Sequence, residues 1–369
     1  MSQAEPPGYS SSSGVVTAKA ASPGGLADPG PLFRIREDGR FGYINRAGEV
    51  VIQPQYLEAE PFVGDFARVR FNDKLVPLDR FGRLLLRQVY NHLGYFREGL
   101  ARVMLVHKWG YIDTLGRCII EPEYEYAGNF REGHAAVALQ GRYGLIDREG
   151  SVRLKGDYTN MRAPGRGLIA AAVESGAGYV TLDGEWVVDP TYNDTSSFRE
   201  RLAFVSRNRR WGLVNQRGVE VIAPRYDQTQ DLKAYAFTAG LAPASIDERY
   251  GFVNDRGDEC IGLQYDEVRA FSEERLAGVR VGDLWGYIDT SGVQVLDPFY
   301  DEVGDFSEGY APVRRGQWWS FVDAAGVELD IPRYDYLTEF NDGLALGVKD
   351  GRWRYLDTSG RVVWSETRP

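Results

Sequence analysis

Apolar and polar positions in this chain change places with a period of two, then break at a turn, and the cycle starts again. In "GLARVMLVHKWGYID" the residues Ala101, Val103 and Leu105 alternate with neighbours of the opposite kind, as on a strand buried on one face. The following stretch, "HKWGYIDTLGRCIIEPEYEYAGNF", has glycines at Gly110 and Gly116, a proline at Pro122 and aromatics throughout. No helical stripe runs through it. The pattern predicts short antiparallel strands joined by tight turns.

Stepping by 34 residues from Gly110 uncovers a repeat. Equivalent positions are Gly42, Val76, Gly110, Gly144, Gly178 and Gly212; after one step of 39 and one of 35 they continue as Gly251, Gly286, Ser320 and Arg354, giving ten units. Six residues after every origin stands a glycine, from Gly48 and Gly82 to Gly326 and Gly360. Fourteen after the first nine stands a tyrosine, from Tyr56 to Tyr334. Three before the fixed glycine comes Asn or Asp, as at Asn45, Asp113 and Asp289, with Thr181 the exception. Asp-x-x-Gly predicts a type I turn whose carboxylate bonds to the backbone and whose glycine is left-handed. A second hairpin precedes it, with tips at Asn72-Asp73, Gln140-Gly141, Gly282-Asp283 and Asp350-Gly351. Each unit is therefore a meander of three strands, with a fourth short strand or an irregular return in segments such as "EYEYAGNF". A 34-residue period also suits helical repeats, but the glycine columns and Pro54, Pro122, Pro190, Pro224, Pro298 and Pro332 would break both helices of such a unit.

"KWGYIDTLG", "LWGYIDTSG", "RWGLVNQRG" and "RFGYINRAG", with Pro-x-Tyr and then "FREGLA", "FSEGYA" or "FNDGLA", resemble the bacterial WG-repeat family from Pro31 to Trp364. The resemblance implies an all-β repeat protein that serves as an interaction scaffold, and it carries over no catalytic residue. Leu75-Val76, Ala177-Gly178 and Pro164 depart from the motif and put local packing there in question. Such units bury their apolar sides either as blades around an axis or as an open curved stack. Propellers have about four to eight blades, and no strand precedes Pro31 to fasten a ring. The expectation is thus an all-β array that leans to an open curved stack or two partial rings, parted at the longer spacing near 227–248, with a complete propeller-like ring as the alternative. Met1 to Gly30, rich in Ser, Gly and Pro, reads as a disordered tail ahead of a repeat domain at 31–369.

Composition narrows the function. The 369 residues are 43% hydrophobic and 26% charged, with a formal net charge of −10, which disfavours nucleic acid and anionic membrane as partners. No apolar run approaches the ~20 residues that span a bilayer, and the N-terminus lacks the basic and apolar regions of a signal peptide. A cytoplasmic location is expected, with specialised secretion left open. His92, His107 and His134 fall at different offsets, and Cys118 and Cys260 lie four units apart; both thiols read as buried and free. No metal site, cofactor or catalytic group is expected, since one carboxylate per turn cannot supply the six to eight oxygens of calcium.

Two columns remain as candidates. The aromatics Trp109, Trp211, Trp285, Trp319 and Trp353, shared with Phe41, Tyr143 and Tyr250, precede their origins by one; they read as core between units rather than as a ladder for sugars. Two before the origin stand Arg40, Lys74, Lys108, Arg142, Arg210, Arg249 and Arg352, a basic stripe beside the hairpin tips. Either carboxylates such as Glu125, Asp227, Asp266, Asp301 and Asp335 pair with it, or it is a track for an acidic protein segment. Two irregular stretches, "NMRAPGRG" (Asn160 to Gly167) and the expansion in "DQTQDLKAYAFTAGLAPASIDE", are further places for binding residues. The leading expectation is a non-catalytic scaffold for a protein partner. The runners-up are a carbohydrate-binding array at the cell envelope and, behind it, a propeller-type hydrolase or lyase.

Overall fold

The computed structural model describes residues 28–72, 74–85, 90–199, 201–227 and 237–367. The tail up to 27 and the heart of the expanded stretch, 228–236, lie outside them. All described elements are β, arranged as ten small antiparallel sheets. The third unit shows the design. Leu100–Leu105 pairs with Lys108–Asp113, which pairs with Cys118–Tyr124 as the outer strand. The return that the sequence left undecided is a two-residue strand, Tyr126–Ala127, and it pairs with the first strand of the next unit. Among the described residues, connectors of this kind stitch one sheet to its successor.

The repeat columns explain themselves in this frame. Asp113 accepts from the amides of Leu115 (2.9 Å) and Arg117 (2.8 Å), and its carbonyl accepts from Gly116, whose φ of 72° is left-handed. Thr181 does the same with its hydroxyl at 3.2 Å. The tyrosine fourteen after the origin faces the aromatic one before it, as Trp109 faces Tyr124 and Trp285 faces Tyr300. Between those partners the outer strand bulges, so that Glu121, Pro122 and Glu123 stand opposite Gly110 alone. A Cβ on Gly110 would meet the Pro122 nitrogen at 2.7 Å as well as the Ile120 carbonyl. Pro122 loses nothing there, because a bulged edge position needs no N–H. Where the origin is Ser or Arg the outer strand changes. The sheet around Ser320 lacks a full third strand, and that around Arg354 pairs without this bulge.

Apolar clusters lie between successive units. Tyr43, Ile52 and Tyr56 of the first pack on Ala67, Val69 and Leu78 of the second, and the series continues around the chain. Units six and seven, flanking the expansion, share Trp211, Leu213 and Tyr226 with Ala242, Ala244 and Val253. Where a tyrosine or phenylalanine follows the origin it receives a phenylalanine from the next connector, as in Tyr111–Phe130 and Tyr287–Phe306, both 4.8 Å between centroids. The tyrosine hydroxyls donate to connector carbonyls, Tyr111 to Gly128 at 2.7 Å and Tyr287 to Gly304 at 2.8 Å.

The tenth unit packs against the first, which decides among the arrangements open to the sequence in favour of a complete ring over an open stack or two partial rings. Phe33, Ile35 and Ile44 share a cluster with Leu344 and Tyr355. Phe33 stands in for the connector phenylalanine against Tyr355 (5.6 Å), and the Tyr355 hydroxyl donates to the Arg34 carbonyl (2.8 Å). Glu366, with a fully buried side chain, binds Arg36 at 2.7 and 3.1 Å and accepts from the Trp353 amide at 2.9 Å. The Thr367 amide and hydroxyl donate to Glu37. A clasp of side chains does the fastening that the sequence reading sought in an N-terminal strand.

Candidate interaction surface

Each meander has two ends, so the ring has two rims. One carries the tips of the first hairpin, the other the Asp-x-x-Gly turns and a column of Glu-Gly turns. At the latter rim Glu98 (φ 50°) and Gly99 (φ 80°) form a tight turn closed by reciprocal bonds between Arg97 and Leu100. Two successive left-handed residues aim their N–H groups at one point, an anion nest. The carboxylate of one unit fills the nest of the next. Glu98 accepts from Glu132 and Gly133 at 2.7 and 2.9 Å; Glu132 accepts from Arg166 and Gly167 at 2.7 and 3.0 Å. Glu274 and Glu308 repeat this at Gly309 and Gly343. Burial alone would raise the pKa of Glu132, but the Gly167 and Arg166 amides outweigh it and leave the carboxyl below its ordinary value. The sequence reading missed these residues as contacts. The signal was Glu before Gly recurring at the 34-residue step. Their work is structural.

The tip rim holds the basic column. Arg40, Lys74, Lys108, Arg142, Arg210, Arg249 and Arg352 all open the second strand of their units, exposed or half-buried. Four are ion-paired: Lys108 with Glu125 (3.7 Å), Arg142 with Asp157 (3.8 Å), Arg210 with Asp227, and Arg249 with Asp266 (2.6 Å). The carboxylates have a second task, since Glu125 accepts from the tip amide of Gly141 (2.9 Å) and Asp266 from Gly282 (2.7 Å). The Gly141 amide and then Lys108 hold the Glu125 carboxyl below its ordinary pKa. Asp301 and Asp335 cap Gly316 and Asp350 in the same way. Arg40 reaches only the Gln55 carbonyl (3.3 Å), and Lys74 and Arg352 make no ion pair with a described residue. The reason is legible in the column: where the third, sixth and seventh units place an acid after the tyrosine, the first two have Leu57 and Asn91. Closure of the ring makes these three units, the tenth, first and second, consecutive.

The aromatic column packs between units. Trp211 and Trp319 are buried, Trp109, Trp285 and Trp353 half-buried, and Arg102, Arg280 and Arg36 lie over three of their rings. The thiols correct an expectation: Cys118 is half-buried and Cys260 exposed, both free, because both sit at the start of outer strands. Burial comes first among the causes that push the Cys118 thiol up. Asn160 to Gly167 forms an ordinary connector, with Arg162 donating to the Thr195 carbonyl and Arg166 to Glu132. Among the described residues no group of three His, Cys, Asp or Glu is placed to hold a metal ion, and no helix is long and apolar enough to cross a membrane.

Ten β-meanders closed through side chains define a propeller-like β-repeat ring. The WG containing repeat model matches residues 41–74, 109–143, 178–210, 211–250, 250–285, 285–319 and 319–353, more than half of the chain; the chain belongs to that family. No curated protein matches it. Among solved structures it is similar to one described as the eukaryotic initiation factor, at 12% identity and a TM-score of 0.54, with 91% of this chain and 95% of the other covered. BamB from Moraxella catarrhalis matches at 11% identity and a TM-score of 0.36, over 84% and 96% of the two chains. At these identities the likeness concerns the fold alone.

Proposed function

We propose that this ring is a non-catalytic cytoplasmic scaffold that binds a protein partner along its tip rim. The observation that carries the reading is the division of labour between columns. Glycine, tyrosine, tryptophan and nest-filling glutamate are consumed by turns and by contacts between units. The tip rim keeps cations in seven units, of which Arg40, Lys74 and Arg352 have no described carboxylate. Exposed cations beside one another attract an acidic segment more than they stabilise the fold, since surface ion pairs contribute only ~0–1 kcal/mol each. The carbohydrate reading finds less support, because the tryptophans of the repeat motif are packed rather than displayed. Reversing Arg40, Lys74 and Arg352 to Glu together reduces capture of a protein partner from the native host. Capture that survives the reversal at low salt ends the reading. Tryptophan emission that shifts on titration with oligosaccharides replaces it with the carbohydrate one.

A further inference from the structure

The basic column is interrupted at Gly176 in the fifth unit and in two adjacent units, the eighth and ninth, where its place is taken by Leu284 and Trp318. Of the eight tryptophans, Trp318 alone is exposed, at 42%. It faces Arg315 in the strand register, and the Arg315 guanidinium lies 3.9 Å from the ring centroid of Phe299 in the preceding unit. Phe299 is 49% exposed and Leu284 37%. On the far side Tyr336, 48% exposed, stands edge-on against Trp319 at 5.7 Å. Arg315 thus links exposed aromatics of units eight and nine, with Leu284 at the equivalent column position of unit eight and Tyr336 beside the neighbouring Trp319. The core does not account for them, because the buried aromatics of these units are others, Tyr287, Tyr300 and Phe306 in the eighth and Trp319, Phe321, Tyr334 and Phe340 in the ninth.

The charges around these side chains say what is missing. Asp301 and Asp335 are committed to the amides of Gly316 and Asp350 at 2.6 and 2.8 Å, and Glu302 to Arg314 at 3.0 Å. Arg315 is exposed and makes no ion pair with a described residue. A guanidinium stacked flat on an aromatic presents its N–H edge outward, which is the geometry that takes a carboxylate in a bidentate pair. Exposed Trp, Tyr and Arg in adjacent units have the composition of an interface hot spot. We propose that Leu284, Phe299, Arg315, Trp318 and Tyr336 anchor an extended acidic segment of a protein partner, in which a carboxylate stands beside an apolar side chain. This rests on the protein-binding reading of the same rim and gives it a centre: the apolar side chain settles on Trp318 and Leu284, and the carboxylate meets Arg315.

The test is fluorescence anisotropy with a short fluorescein-labelled peptide containing Asp-Phe-Glu-Leu, beside a control with Lys at the acidic positions. The full chain binds the acidic peptide saturably and not the control. Trp318→Ala and Arg315→Glu each weaken it about tenfold or more and leave the melting temperature in place, since both side chains are exposed. The triple reversal of Arg40, Lys74 and Arg352, which lie in other units, changes it less than about threefold. Equal binding by the Trp318 and Arg315 variants and the unaltered chain overturns the proposal, as does no binding at all. Loss with the triple reversal alone also overturns it, and leaves the broader rim reading standing. Tryptophan quenching by cellohexaose without peptide binding removes both.

Discussion

Glu366→Ala is the sharpest probe of the closed ring. The substitution deletes three charge-assisted contacts: two to Arg36, at 2.7 and 3.1 Å, and one from the Trp353 amide at 2.9 Å. Hydrogen bonds to charged groups contribute about 1.5–3 kcal/mol each, and stripping one partner from a buried pair costs about 3–5 kcal/mol. Arg36 keeps 29% of its side chain in water and turns outward when its partner is gone, so the lower end applies, about 3 kcal/mol. The loss falls on the seam, because Tyr355 still holds the Arg34 carbonyl and every other interface is untouched. Hydrogen exchange reads this locally: 3 kcal/mol is about a hundredfold in the opening constant. Amides of Phe33–Glu37 exchange about a hundredfold faster, while those of Ile169–Val173, across the ring, change less than about threefold. Unchanged protection at Phe33–Glu37, or equal acceleration in both strands, refutes the clasp.

Gly212→Ala drives a Cβ into the Ile222 carbonyl and to 2.7 Å from the Pro224 nitrogen; it lowers stability by about 1–3 kcal/mol in urea titration, whereas Ser320→Ala stays within about 0.5 kcal/mol. Trp211→Ala, at a 3% exposed ring, costs about 3–5 kcal/mol, and the half-buried Trp285 costs less; a melting temperature unmoved by Trp285→Ala contradicts its place in the core. Glu132 has a folded pKa below its ordinary 4.5, so its contribution is complete above that value and disappears as pH falls through the folded one. Glu132→Gln is therefore less stable than the unaltered chain at pH 7 and equal to it once both are acid-protonated, as urea midpoints across the acid range check.

Much of the repeat could be read before any coordinates because its columns satisfy local needs. A glycine after Asp-x-x closes its own turn, and a tyrosine fourteen from the origin meets an aromatic in its own sheet. Closure was hidden for the opposite reason. Phe33, Arg36 and Glu366 lie outside the period and find their partners at the opposite end of the chain, 330 residues apart for Arg36 and Glu366. The nest-filling glutamates were periodic, but their acceptors sit one unit on, where a reading within units does not look. Trp318 has no column to mark it, because it stands where the basic column fails.

The proline-centred bulges have a consequence beyond fitting a glycine. The described outer strands end their sheets, and several carry exposed valines, such as Val50, Val152 and Val187. An open, flat, apolar edge invites a second molecule to add a strand and a third to follow. Pro54, Pro122, Pro190, Pro224 and Pro298 each withhold a donor in mid-edge, and the bulge twists the backbone out of line. The perimeter is thereby gated against stacking into fibres, and the molecule can keep sticky side chains outside while remaining a single ring.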